Sequence, residues 1–445
     1  MKKTILLLSA MLLFGSTVFT SCSGRKDQIP ALLETKKATA PDDEQALIKT
    51  TYDKAVDALR KDPEDLKQYI TLATVYISEG RITGNNTYYS NAAVQMLDKV
   101  TDKTTGNMDL VFQSLSLRSA ILLNMHQFKE ALACAQQGAA INSMNAGIFG
   151  ALVDANVEMG NYTEAVKDCD KMMSIRPDLR SYSRASYLRQ IYGQNNGAKQ
   201  AMKMAVEAGL PGQESTEWAR TNLADLYLNT GNLDSASLLY RSSLVYRPDY
   251  PFALIGLARV EKTKRNYDGA LEYAKKAIQI RSEVAFVSLL AEIYDLKGDV
   301  AKAKDTRNDV IDLLKQGQND EPSDALVKHN VSREMATAYL AAGQPDKALP
   351  FAQTDLNMRP DNIDANELMA WIYYTKHDYA SAKLYSDKML ATNTQNAATL
   401  YKAGVIYAAA GDAAKGAQLM HDALAINPNV NQVMDLESRK LATIK

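Results

Sequence analysis

Apolar residues recur along this chain at helical spacing, in short blocks punctuated by small or turn-forming residues. The clearest block holds Leu223, Ala224 and Tyr227 on one face of a helix, then Gly231, Ala236, Tyr240 and Pro248. Gly231 stands where the chain must leave the first helix, since glycine takes the left-handed conformation without steric penalty. Ala236 is small where a second helix crosses the first closely. Tyr240 fills the space one turn on, and Pro248 stops the second helix. The pattern predicts two helices joined by a tight turn.

The same small position returns as Ala131, Ala165, Ala198, Ala236, Ala270, Ala303, Ala348, Ala382 and Gly416, at gaps of 34, 33, 38, 34, 33, 45, 34 and 34 residues. A period near 34 is the length of one helix–turn–helix unit, and its recurrence predicts an all-α solenoid of about ten such units. Leu290-Ala291, Tyr294, Gly298 and Ala303 form one further copy, as do Ala336, Tyr339, Gly343, Ala348 and Pro360. Met369-Ala370, Tyr373 and Ala382 follow, with His377 at the turn; the last full unit has Gly404, Tyr407, Gly411, Gly416 and Pro428. Arg265 and His126 occupy the turn in two other units. An N-terminal copy (Tyr69, Leu72-Ala73, Tyr76, Gly80) is followed by an apparent insertion over 81–91, with a half-unit, Tyr52 to Pro63, before it. The long gap near 315–328 reads as a loop and hinge.

This arrangement resembles the tetratricopeptide repeat family. The resemblance implies a right-handed superhelix over 44–429, with a polar capping helix over 430–445. It also implies that first helices line the concave face and bind protein or peptide segments there. On that register the outward positions are Asn330, Arg333 and Thr337, then Asp364, Glu367, Trp371 and Tyr374, then Tyr401; a middle group holds Tyr187, Trp218, Asp225, Arg259 and Lys262. Exposed aromatics with arginine have the composition of interaction hot spots, although each aromatic could equally pack against a neighbouring helix. The family's grip on a peptide carboxylate by lysines, arginine and asparagines does not carry over, because the asparagines are missing.

The termini add a compartment. Lys2 and Lys3 precede an apolar run from Ile5 to Phe19, the pattern of a secretory signal. Phe19-Thr20-Ser21-Cys22 resembles the lipobox of bacterial lipoproteins, with phenylalanine in place of the usual leucine. That resemblance implies a signal over 1–21, lipid on Cys22, a flexible tether over 22–43 and residence in the bacterial envelope, with the outer membrane favoured by Ser23. An ordinary cleaved signal is the alternative. Export would permit a disulfide, but Cys134 and Cys169 lie on separate helices, and the expectation is two reduced thiols.

With 51 basic and 52 acidic residues the chain lacks the basic excess of a nucleic-acid binder. His126, His329, His377 and His421 are far apart in sequence, and His126 and His377 read as solvated turn residues. Gly193 to Gly197 is not followed by the Lys-Ser/Thr of a phosphate loop. No catalytic, metal or cofactor site is expected. The reading is a non-enzymatic, lipid-anchored scaffold for protein segments in the envelope. The alternatives are a glycan-binding outer-membrane lipoprotein and a structural part of a secretion or envelope-assembly complex.

Overall fold

In the computed structural model, residues 28–34, 42–103 and 106–430 are described. The signal over 1–21, Cys22 and residues 431–445 of the expected cap lie outside them. Among the described residues there are helices and no strands. A single helix, α1 (Asp42–Lys61), precedes ten hairpins. They are α2 (Leu66–Thr83) with α3 (Asn86–Lys103), α4 (Met108–Asn124) with α5 (Phe128–Ile141), and α6 (Ala146–Glu158) with α7 (Tyr162–Ile175). Next come α8 (Leu179–Ile191) with α9 (Asn195–Glu207), α10 (Glu214–Asn229) with α11 (Leu233–Tyr246), and α12 (Pro251–Thr263) with α13 (Tyr267–Ile280). The remainder are α14 (Val284–Lys297) with α15 (Val300–Asn319), α16 (Ser332–Ala341) with α17 (Pro345–Met358), α18 (Ile363–Thr375) with α19 (Tyr379–Met389), and α20 (Ala397–Ala409) with α21 (Ala413–Ile426).

Each recurring alanine from Ala131 to Ala382 is fully buried, at the point where the two helices of its hairpin cross. At Gly416 the crossing is closer still: a Cβ there would lie 2.7 Å from the Gly404 carbonyl oxygen. Tyr240 lies over Gly256, where a Cβ would come within 2.2 Å of its ring, and its hydroxyl donates to Asp225 at 2.5 Å. Apart from the α2–α3 turn at Gly84, the turns repeat one geometry. The Gly231 N–H donates to Leu228 and the Asn232 N–H to Tyr227, a Schellman closure of the first helix. The residue at the bend has positive φ in every one of these turns, including the three non-glycines His126 (55°), Arg265 (63°) and His377 (62°).

Even-numbered helices pack against one another in sequence (α2 on α4, α4 on α6, α6 on α8, α10 on α12), and no two odd-numbered helices pack to that degree. The stack therefore curves with the even-numbered helices inside. After about six hairpins it meets itself. The Asn330 N–H donates to the Met125 carbonyl oxygen, and Gln127 Nε2 donates to that of Lys328. Asn362 Nδ2 donates to Glu158, Asn195 Nδ2 to Gln395 and Asn427 Nδ2 to Leu228, each through a main-chain oxygen. Arg281 donates to the carbonyl oxygen of Arg81. In every case the turn inside one hairpin meets the turn leading into, or out of, a hairpin one superhelical turn later. Successive turns touch along a seam.

Three expectations change. Residues 28–34 are not a tether: Ile29 and Leu32 pack on the first core cluster, and the segment is hydrogen-bonded to α1, α2 and α3. The insertion over 81–91 vanishes into longer helices, since α2 runs to Thr83 and α3 begins at Asn86. The stretch near 315–328 is not a hinge. It lengthens α15 to Asn319, and the following loop docks across the seam, burying Val327 in the N-terminal core and exchanging two hydrogen bonds with Asn91.

Candidate inner-face site at the seam

The inner face is a ladder of ion pairs between successive even-numbered helices. Asp154 of α6 binds Arg184 of α8 at 2.5 Å, Asp225 of α10 binds Arg259 of α12 at 2.6 Å, and Lys262 of α12 binds Glu292 of α14 at 2.6 Å. On the second superhelical turn Arg333 of α16 reaches Asp364 of α18 at 3.5 Å, and Glu367 of α18 binds Lys402 of α20 at 2.8 Å and accepts from Thr399 at 2.6 Å. Burial alone would raise the Glu367 carboxyl, but Lys402 and Thr399 outweigh it and hold it below the ordinary range. Burial raises Asp364, against the pull of the more distant Arg333.

Where the two turns meet, a cavity of about 240 Å³ opens. Leu123, Asn124, Phe128, Val157 and Tyr187 line it from the first turn, and Asn330, Arg333 and Glu334 from the second. Arg359 anchors its wall. Its guanidinium is buried, donates twice to Asp355 at 2.7 and 2.9 Å, and also reaches Glu158 across the seam. Burial raises the Glu158 carboxyl despite that contact. Of the lining acids, Asp154 is matched by Arg184, while Asp355 and Glu158 share one arginine. The lining is thus short of positive charge. Tyr187 lines this wall and is 43% exposed; burial of its hydroxyl end, then the Asp364 and Glu158 carboxylates, push its hydroxyl pKa up.

The cavity brings Tyr187, Asn330 and Arg333 together, with Asp364 paired to Arg333 beside it. The other expected residues are elsewhere. Trp371 is not an exposed anchor: it is buried in the α18–α21 core, stacked on Tyr374 at 4.8 Å with Lys402 over its face. Tyr374 and Tyr401 are partly buried against the same core. Thr337 is exposed and donates to the Arg333 carbonyl oxygen. Trp218 is exposed on α10, and Arg259 is held by Asp225. His126 is not a solvated turn residue. Its Nδ1–H donates to the Asn330 carbonyl oxygen at 3.1 Å, and its ring lies 4.8 Å from that of His329. Burial, then the neighbouring His126, lowers the His329 pKa to about 4. Asp154, Glu158, Asp355 and Arg359 escaped the sequence reading, because only closure of the superhelix, some 200 residues apart, gives them a common place. Cys134 and Cys169 carry free thiols, and burial pushes that of Cys169 up to about 11.

The fold is therefore an all-α helical repeat. Residues 221–285 match the tetratricopeptide repeat family model. A curated relative, the Cellulose synthase 1 operon protein C of Komagataeibacter xylinus, is 26% identical over 282 residues, 59% of this chain; the chain covers 20% of that protein's length. Among solved structures, a tetratricopeptide repeat protein from Parabacteroides merdae is similar over 59% of this chain and 98% of its own, at 16% identity and TM-score 0.39. A thermophilic repeat protein from Thermus thermophilus covers 48% of this chain and 99% of its own, at 17% identity and TM-score 0.36. No helix among the described residues is long and apolar enough to cross a membrane.

Proposed function

We propose that this protein is a non-enzymatic scaffold that holds segments of partner proteins against its inner face, with the seam cavity as the anchoring point. The observation that carries the reading is the convergence of exposed Tyr187 and Arg333 from two superhelical turns on one cavity whose acids outnumber its bases. An aromatic face beside under-neutralised carboxylates suits a basic side chain on an otherwise extended guest. The lipobox-like Phe19 to Cys22 supports an envelope location with a lipid on Cys22. A structural role in an envelope-assembly complex is the second reading, favoured by the operon named for the Komagataeibacter relative. A glycan platform loses support, since the residues beyond the repeat period go into a longer α15 and a docked loop.

The test is capture from detergent-solubilised envelopes of the native host, comparing the full chain with a Tyr187→Ala, Arg333→Ala variant. Both side chains are partly solvent-facing, so the variant should keep its helix content and lose a partner that the unaltered chain retains. Equal recovery by both proteins would remove the cavity from the reading.

A further inference from the structure

The segment over 28–34 sits in the groove between α1 and α3 as an extended ligand sits in a receptor. Tyr52 of α1 donates its hydroxyl to the Pro30 carbonyl oxygen at 3.0 Å, and Tyr76 of α2 donates to the same atom. Tyr88 of α3 donates to Ala31 at 2.7 Å, Gln95 Nε2 donates to Gln28 at 2.8 Å, and the Leu33 N–H donates to the Tyr89 hydroxyl at 3.0 Å. Five side chains thus read five main-chain polar contacts, while Ile29 and Leu32 supply the apolar contact with the core. This division of labour, main chain for affinity and alternate side chains for selectivity, is that of extended-peptide recognition. Tyr76 and Tyr89 also brace each other, stacked with ring centroids 6.1 Å apart.

We propose that the α1–α3 groove is a peptide-binding site for extended segments of apolar-Pro-x-apolar pattern, occupied in cis by Ile29 to Leu32. The groove shares no residue with the seam cavity, and the inference goes beyond the scaffold reading. A guest competes with a segment joined to α1 by only the residues between Glu34 and Asp42. Such short links give effective concentrations on the order of millimolar. The cis segment therefore sets a threshold: a trans segment displaces it only at high local concentration or with a better fit.

The test uses the full chain and a fluorescein-labelled peptide with the sequence of residues 28–34. Ile29→Asp with Leu32→Asp should release the segment, and fluorescence polarisation should show at least tenfold tighter peptide binding to this variant than to the unaltered chain. Adding Tyr76→Phe and Tyr88→Phe to the released variant should weaken that binding at least fivefold, which a merely structural segment would not require. Equal affinity for the released and unaltered chains, or no saturable binding to a released chain with unaltered circular dichroism, overturns the proposal. Hydrogen exchange on the unaltered chain gives a readout independent of the variants. Millimolar unlabelled peptide should accelerate exchange at Leu33, and an unchanged rate overturns it. A concentration-dependent dimer of the unaltered chain would assign the groove to segment exchange between copies and overturn the partner reading.

Discussion

At the scale of the residue, the strongest constraint is the left-handed bend at each hairpin turn. A side chain there costs about 1–2 kcal/mol relative to ordinary helical geometry. Arg265 accepts that conformation while exposed on the surface. Arg265→Gly should therefore raise stability by up to about 1 kcal/mol, the relief being reduced by glycine's greater freedom in the unfolded chain. Chemical denaturation would register this as a higher midpoint with an unchanged slope; a lower midpoint would mean that the arginine is held by something other than its backbone. Most of these bends were legible, because a small residue five positions on keeps a fixed distance from the bend, as does a tyrosine four before it in the Tyr227, Tyr294, Tyr339, Tyr373 and Tyr407 units. The first was not, since Gly80 reads as the turn glycine while the chain bends at Gly84. The aromatics were not legible one by one. Trp371 and Tyr187 occupy similar positions on first helices, yet Trp371 has a neighbouring Tyr374 and Lys402 to cover it, whereas Tyr187 faces the cavity.

At the scale of the element, a hairpin here has two jobs: closing on itself and meeting the hairpin one superhelical turn away. Two glycines separate them. Both Gly160 and Gly298 have positive φ, near 81° and 87°. A Cβ on Gly160 would lie 2.5 Å from the main-chain carbon of Asp361, whereas one on Gly298 meets nothing within 4 Å. Gly298→Ala should lose only the backbone strain, about 1 kcal/mol. Gly160→Ala carries the same strain and must also push the α17–α18 turn away, disturbing the Asn362 and Tyr162 hydrogen bonds across the seam. Thermal melts should place Gly160→Ala clearly below Gly298→Ala, and equal losses would mean that the seam adds nothing to stability. The hairpins themselves could be read from a 34-residue rhythm, since each rests on neighbours in sequence. The seam could not, because its partners are set by the pitch of the whole stack. The docking of residues 28–34 was hidden for a related reason. Four tyrosine hydroxyls hold main-chain atoms there, and the polar composition of the flanking residues masks the two apolar contacts.

At the scale of the molecule, the seam changes what kind of repeat protein this is. A stack whose units touch only their neighbours behaves as a one-dimensional chain of nearly independent terms. Here Arg359 joins Asp355 to Glu158, and Val327 completes the N-terminal core, so successive superhelical turns support one another. His329 makes that support sensitive to acid. Its ring faces His126, Glu334 lies beside His126 at 3.6 Å, and the His329 main-chain N–H donates to Glu321 at 2.8 Å. Neutral in the fold down to about pH 4 but protonated in the unfolded chain below about 6.5, the His329 ring makes the unfolded state take up the extra proton as pH falls. Stability must therefore decline from pH 6.5 towards 4, by about 2 kcal/mol at pH 5 from this group alone. Urea midpoints at pH 7 and pH 5 should differ less for His329→Asn than for the unaltered chain; identical differences would show that the histidine titrates alike in both states.

The self-meeting coil also limits how such a chain can be altered. Adding or removing one hairpin between α11 and α16 would rotate the later turns out of phase. Glu158 would then face a stretch other than Arg359, and Asn195 and Asn427 would lose their acceptors in the same step. Individual helices can tolerate many surface substitutions, whereas the count of hairpins between the paired turns behaves as a discrete quantity with one permitted value.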